Sequence, residues 1–143
     1  MELALAQAEA AMTRGEVPVG AVLVDGKGNL LAAAGNRVEA DRDPLAHAEM
    51  LALRAGAKLL GAKHLNGCDL WVTLEPCAMC AAAIGLARLR RLYFGAWDPK
   101  GGAVEHGPRL FEQPTIHYRP EIYGGIAERR AADLLRAFFR DRR

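Results

Sequence analysis

The chain has 143 residues, of which 51% are hydrophobic and 25% charged, with a formal net charge of +2. This length predicts one domain over residues 1–143, and the apolar fraction excludes an intrinsically disordered chain. No apolar run reaches the roughly 18 residues that a membrane span needs, and residues 1–12 lack the basic start of a signal peptide. We therefore expect no membrane contact and a cytoplasmic location.

Apolar periodicity and turn residues divide the chain into helices and strands. Alanine and leucine recur at helical spacing near the N-terminus, and Arg14-Gly15 ends that helix. The segment 25–29 (DGKGN) lies between two apolar runs and predicts a β-hairpin, while Gly61 is placed to cap the second helix. The predicted helices cover residues 2–12, 46–60, 77–87 and 126–142, and the predicted strands cover residues 19–24, 30–34, 70–74, 90–95 and 121–123.

The order of these elements predicts an α/β layer. Strands alternate with helices after the opening hairpin, which favours helices on the sheet faces. Pro76 is expected in the first turn of the helix over residues 77–87, where proline is tolerated. That helix is rich in alanine, so its backbone can pack very close to a sheet.

The three cysteines point to a metal or redox site. Their number is odd and two are spaced C-x-x-C, which does not suit a disulfide framework, although an isolated cysteine is most often a small buried hydrophobe. Cys77 and Cys80 are three residues apart at a predicted helix start, where the helix dipole favours thiolates. With His47 from the start of the neighbouring helix they form a Cys₂His ligand set.

A Cys₂His set leaves the fourth tetrahedral position of a zinc ion open for water, as in catalytic sites, and zinc lowers the pKa of that water to about 7. Glu49 follows His47 by two residues in the same first turn, so its carboxylate can take a proton from this water. His64 and Cys68 could instead close a structural zinc site, but both precede the strand that leads to Cys77 and should lie at its far end. H-x-E followed by P-C-x-x-C is the established signature of zinc-dependent deaminases.

Over nearly its whole length the sequence resembles the zinc-dependent cytidine/deoxycytidylate deaminase superfamily, and within it the bacterial tRNA-specific adenosine deaminases. The metal motif marks the superfamily, whereas residues 16–20, 94–98 and 138–143 point to the tRNA branch. Trp97 and the pair His117-Tyr118 depart from the pattern of that branch. The matching segments are residues 16–20 (EVPVG), 35–37 (GNR), 46–49 (AHAE), 72–77 (VTLEPC), 94–98 (FGAWD) and 138–143 (FFRDRR).

The resemblance implies a three-layer α/β/α cytidine-deaminase-like fold with a five-stranded mixed sheet, assembled as a homodimer with one Zn²⁺ per subunit. It implies hydrolysis of adenosine to inosine, with release of ammonia, at the wobble position of a tRNA anticodon, with an arginine tRNA as the expected partner. The residues that match functional positions are Glu49 as the catalytic acid/base, His47, Cys77 and Cys80 as zinc ligands, Val17, Asn36, Ala48 and Asp98 as substrate contacts, and Phe139, Arg140, Arg142 and Arg143 as RNA contacts.

The C-terminal segment is basic although the whole chain is nearly neutral. Six arginines and two aspartates give residues 129–143 a local charge of +4, while the remaining 128 residues carry −2. This pattern fits either phosphate contact or a solvated helix face. Phe94, Phe111 and Phe138 fit core positions, whereas Trp97 lies in a glycine-rich loop where it could stack on an unpaired base.

Two other functions stay open. The first is deamination of a free base or nucleoside of the guanine or cytosine type, because the departures from the family pattern fall in the substrate-recognition region. The second is a zinc-stabilised interaction module without catalysis. Glu49 separates the second from both deaminases, because a structural zinc needs no acid beside it.

Overall fold

A five-stranded mixed sheet lies in the middle of the structure, a computed structural model that describes residues 1–142. The strands are β1 (Gly20–Val24), β2 (Leu30–Gly35), β3 (Asp69–Leu74), β4 (Arg91–Ala96) and β5 (Glu121–Tyr123), in the order β2-β1-β3-β4-β5. Strand β1 pairs antiparallel with β2 and with β3, whereas β3, β4 and β5 run parallel. The hairpin and the edge strand predicted from the sequence are confirmed.

Helices cover both faces of this sheet. They are α1 (Glu2–Thr13), α2 (Val38–Asp41), α3 (Ala48–Leu60), α4 (Ala78–Ala87) and α5 (Glu128–Arg140), with a 3₁₀ turn at Leu110–Glu112. Helices α1 and α5 contact each other on one face, and α3 and α4 contact each other on the other. The main core lies under α3 and α4 and includes Leu23, Leu70 and Phe94, all completely buried. The predicted three-layer α/β/α fold is confirmed.

The backbone of helix α1 lies very close to the sheet. Gly20 and Gly35 lie beneath this helix, and a Cβ on Gly20 would come within 2.6 Å of the Ala8 nitrogen and nearer still to the Ala4 carbonyl. The expectation that the alanine-rich helix α4 packs its backbone very close to the sheet is wrong, because within residues 1–142 α1, α3 and α5, but not α4, bring Cα atoms within 8 Å of strand Cα atoms. The core that α4 shares with the sheet includes large side chains, among them Phe94.

Several predicted boundaries shift where a helix begins or ends. Helix α4 begins at Ala78 with Cys77 as its N-cap, so Pro76 precedes the helix and the prediction that it lies in the first turn is wrong. Helix α5 is shorter at both ends than residues 126–142. Gly61 adopts φ +61° and caps α3, as predicted. Among residues 1–142, no helix combines the length and apolar character needed to cross a membrane.

The β3-α4-β4 connection matters most for the candidate site. Because β3 and β4 are parallel, their carboxyl ends lie side by side at one edge of the sheet. The segment leading into α4 follows β3, and the glycine-rich loop over residues 97–108 follows β4. The start of α3 joins them from the same side, since His47 lies beside Cys77. Open α/β sheets place their ligand sites at such an edge.

Candidate active site

The two sequence motifs meet at the starts of two helices. His47 is the N-cap of α3 and Cys77 the N-cap of α4, while Cys80 lies in the first turn of α4. The side chains of all three residues meet at a common centre. His47 Nδ1 lies 3.7 Å from Cys77 Sγ and 3.6 Å from Cys80 Sγ.

These separations fit a tetrahedral zinc ion. Typical Zn–S and Zn–N bond lengths place a sulfur and a nitrogen ligand about 3.6 Å apart. All three donor atoms lie within 4.8 Å of one another, and within residues 1–142 no other group of three donors is arranged in this way. Cys68 is buried just before β3, at the end opposite to the motif, as the sequence predicts. The expected zinc cofactor is therefore matched by the donor set.

A hydrogen bond between Cys77 and Cys80 shifts the pKa values of both thiols. A hydrogen bond from Cys80 lowers the pKa of Cys77 to about 4, and His47 adds to the effect. The same interaction raises the pKa of Cys80, and the hydrogen bond to Cys77 raises the pKa of His47. The lowered pKa makes Cys77 ready to act as a thiolate, the form of cysteine that binds zinc.

Glu49 lies beside these donors in the first turn of α3. Its side chain is almost completely buried, and burial raises its pKa to about 7, with the negative charge on Cys77 adding to the effect. A group that titrates near neutral pH can both accept and donate a proton during one reaction cycle. Glu49 is thus suited to acid/base chemistry at this centre.

A cavity of about 670 Å³, here called the active cavity, opens in front of the donors. Its wall includes His47, Glu49 and Cys77 together with three of the predicted substrate contacts, Val17, Asn36 and Asp98. The fourth, Ala48, is fully buried, and its N–H donates to Asn36 Oδ1 at 2.8 Å. This bond fixes the orientation of the Asn36 amide, whose nitrogen is left to act as a donor towards the cavity.

A second depression of about 1130 Å³, here called the side groove, adjoins the active cavity. Two exposed aromatic residues, Trp97 and Phe139, lie along it, with exposed fractions of 38% and 51%. Its basic residues are Lys100, Arg136, Arg140 and Arg142, and the residues shared with the active cavity are Val17, Leu74, Asp98, Gly101 and Arg142. The groove thus combines positive charge with aromatic surface.

The family of the chain follows from comparison with known proteins. The family model described as the cytidine and deoxycytidylate deaminase zinc-binding region matches residues 1–96. The chain belongs to this deaminase family. A protein of Agrobacterium fabrum named tRNA-specific adenosine deaminase is 56% identical over 144 residues, which cover 100% of this chain and 93% of the relative.

Solved structures agree with this assignment. A structure from a study of A-to-I editing by tRNA:A34 deaminases superposes with a TM-score of 0.92 at 56% identity, covering 94% of this chain and 97% of the other. A guanine deaminase from Bacillus subtilis gives a TM-score of 0.66 at 32% identity, covering 85% and 80%. The resemblance inferred from the motifs is confirmed.

The predicted RNA contacts, the pair His117-Tyr118 and the predicted core phenylalanines remain to be placed in the structure. Phe139, Arg140 and Arg142 line the side groove, whereas Arg143 lies outside the described residues. His117 is exposed and Tyr118 half-buried, and neither lines the active cavity or the side groove. The prediction that Phe94, Phe111 and Phe138 belong to the core is confirmed, since all three are buried.

Two buried carboxylates near the active cavity, Glu16 and Glu75, are not among the functional residues predicted from the sequence. Glu16 accepts the N–H groups of Glu39 and Ala40 at 3.1 and 2.8 Å, which ties α2 to the cavity wall. Glu75 is completely buried. Burial raises its pKa, but hydrogen bonds from the Asp98 N–H and from His106 outweigh this and hold that pKa below its ordinary value. The available signal for Glu75 was an acidic residue directly after an apolar strand.

Proposed function

We propose that this chain is a zinc-dependent hydrolytic deaminase that converts adenosine to inosine at the wobble position of a tRNA anticodon, releasing ammonia. The observation that carries the proposal is that the active cavity and the side groove adjoin each other. The active cavity holds a Cys₂His donor set with a buried Glu49, and it opens into a groove with aromatic and basic walls. The full-length similarity to a tRNA-specific adenosine deaminase supports this substrate.

The chemistry is divided among four residues. We assign His47, Cys77 and Cys80 as the ligands of one Zn²⁺ per subunit. When bound, zinc makes a water acidic enough to react at neutral pH. Glu49 accepts a proton from the water that adds to C6 of adenine and passes it to N1. Glu49 then takes the second proton, from the hydroxyl now on C6, and gives it to the amino group as the C6–N bond breaks, so that ammonia departs and the C6 carbonyl of inosine remains.

The wall of the active cavity suits a purine. Because Ala48 N–H occupies Asn36 Oδ1, the amide of Asn36 offers a donor that matches an acceptor such as N7 of adenine. Val17 lies where the active cavity meets the side groove and can contact the base. Asp98 borders both spaces, which suits a contact on the ribose side.

The side groove suits unpaired RNA. Aromatic side chains stack on splayed bases, while arginine and lysine attract the phosphates. We assign Phe139, Arg140, Arg142 and Arg143 to contact with the anticodon loop, and an arginine tRNA as the substrate. Arg142 already lies over the Phe138 ring at 3.6 Å, at the mouth of the active cavity. We also propose one deaminase domain over residues 1–143, a homodimer and a cytoplasmic location, in line with action on tRNA.

The test uses an anticodon stem-loop of arginine tRNA with adenosine at the wobble position. Zinc-loaded protein should convert this adenosine to inosine, detected by mass spectrometry of the digested RNA. Glu49→Gln should retain zinc and form no product, whereas Glu112→Gln, which alters an exposed carboxylate away from the cavity, should keep full activity. Absence of inosine from protein with one zinc per chain would contradict the proposal.

A second candidate is deamination of a free nucleobase, supported by the structural similarity to a guanine deaminase at 32% identity. Ammonia release from guanine, cytosine or their nucleosides, without RNA, would favour this candidate. A zinc module without catalysis is disfavoured by Glu49. A buried carboxylate with a raised pKa at the donor set serves no purpose in a purely structural site.

A further inference from the structure

Glu75 takes no part in the chemistry proposed above, yet it is the most heavily hydrogen-bonded side chain near the active cavity. Its carboxylate directly follows β3 and is completely buried. Oε1 accepts the N–H groups of Val104, Glu105 and His106 at 3.3, 2.8 and 3.0 Å. Oε2 accepts the Asp98 N–H at 2.9 Å and lies 2.8 Å from His106 Nδ1. With these donors the carboxylate has no capacity left for a substrate.

The donors lie at the two ends of one loop. Asp98 comes two residues after the end of β4, whereas residues 104–106 come near the end of the loop over residues 97–108. Gly102 lies between them, and a Cβ there would approach Glu75 Cδ and the Asp98 carbonyl to 2.5 Å. Ala103 N–H donates to the Pro76 carbonyl at 2.9 Å. The loop is therefore folded around the Glu75 carboxylate.

The same loop forms walls of both spaces in which substrate would bind. Asp98 and Gly101 line the active cavity, while Trp97 and Lys100 line the side groove. The Trp97 ring meets His106 edge to face, with 6.3 Å between ring centroids. His106, itself bonded to Glu75, thus links the carboxylate to the aromatic surface of the groove.

We propose that Glu75 is a positioning residue that holds the recognition loop, residues 97–108, against the metal-binding segment. His106 extends this support to Trp97. The inference rests on the proposed function. In it, Glu75 contributes to RNA binding indirectly, by holding the loop that contacts the RNA. The metal donors and Glu49 are held at the starts of α3 and α4, so a displaced loop weakens substrate binding more than it slows the chemical steps.

The test compares Glu75→Gln with the control Glu112→Gln on the anticodon stem-loop. The amide nitrogen of glutamine is a donor and would face N–H groups that now meet an acceptor, so part of the loop must move away. We expect KM to rise about tenfold or more, with kcat within about threefold of the parent and one zinc retained per chain. In a Trp71→Phe background, Trp97 fluorescence should shift as its surroundings open.

A milder variant keeps the test decisive if Glu75→Gln fails to fold. His106→Ala removes the ring that lies between Glu75 and Trp97. Because the His106 side chain is partly exposed, this variant should still fold. We expect KM to rise about threefold and Trp97 emission to shift. An unchanged KM with unchanged emission would overturn the inference. Loss of zinc with a parallel loss of kcat at constant KM would also overturn it, because Glu75 would then support the metal site.

Binding can be measured without turnover, which separates this inference from the proposed function. Anisotropy of a labelled stem-loop should show about tenfold weaker binding by Glu75→Gln even if the parent protein formed no inosine. Parent protein that makes inosine while both variants bind the stem-loop normally would leave the function standing and refute the role of Glu75.

Discussion

Replacing Glu49 by glutamine should make the zinc-free protein more stable at alkaline pH while abolishing catalysis. Burial raises the pKa of Glu49 to about 7, from an ordinary value of 4.5. The folded protein therefore holds this proton more tightly than the unfolded chain does, and stability falls as the pH rises from about 4.5 to 7. The difference between the two pKa values corresponds to about 3 kcal/mol, which glutamine does not lose because it does not titrate.

The assay is urea unfolding of zinc-free parent and variant at pH 4.5 and pH 8. The variant should gain about 3 kcal/mol relative to the parent between the two pH values. When loaded with zinc, it should bind metal normally and lose at least about a hundredfold in the rate of inosine formation. An identical stability difference at both pH values would refute the reasoning, because burial would then not control the ionisation of Glu49.

Three further outcomes test other parts of the structure. Cys80→Ser should lower the zinc content of purified protein, measured by atomic absorption, because an alcohol does not replace a thiolate ligand. Gly20→Ala should lower the free energy of unfolding by about 2 kcal/mol or more, measured by denaturant titration, since the added Cβ meets the α1 backbone. Stem-loop binding should weaken with added salt, and Arg140→Ala should reduce the slope of log K against log salt by about one; an unchanged slope would exclude a phosphate contact at this arginine.

The metal donors could be predicted from the sequence because each motif is local. Cys77 and Cys80 share one helix start by spacing alone, and His47 and Glu49 share another. The hairpin and the Gly61 cap could be predicted for the same reason. The meeting of the two helix starts is a tertiary contact across 30 residues of sequence, and only the combination of the two motifs predicts it.

The positions that escaped prediction depend on contacts between distant segments. The partners of Glu75 lie 23 to 31 residues further along the chain, and no local pattern specifies which N–H groups will surround a buried carboxylate. The close approach of α1 to Gly20 and Gly35 has the same origin, since a glycine in a strand does not reveal which helix will cross it.

The contrast between Glu49 and Glu75 supports the proposal that Glu49, and not Glu75, is the acid/base residue at the active cavity. Hydrogen bonds from the Asp98 N–H and from His106 outweigh burial at Glu75 and keep its pKa below the ordinary value, so it stays ionised and exchanges no proton near neutral pH. At Glu49 burial outweighs the donors, and the pKa of about 7 allows both protonation states. Environments that push the pKa values of two such groups apart assign their roles. In one stem-loop assay, loss of Glu49 should therefore remove kcat, whereas loss of Glu75 should raise KM.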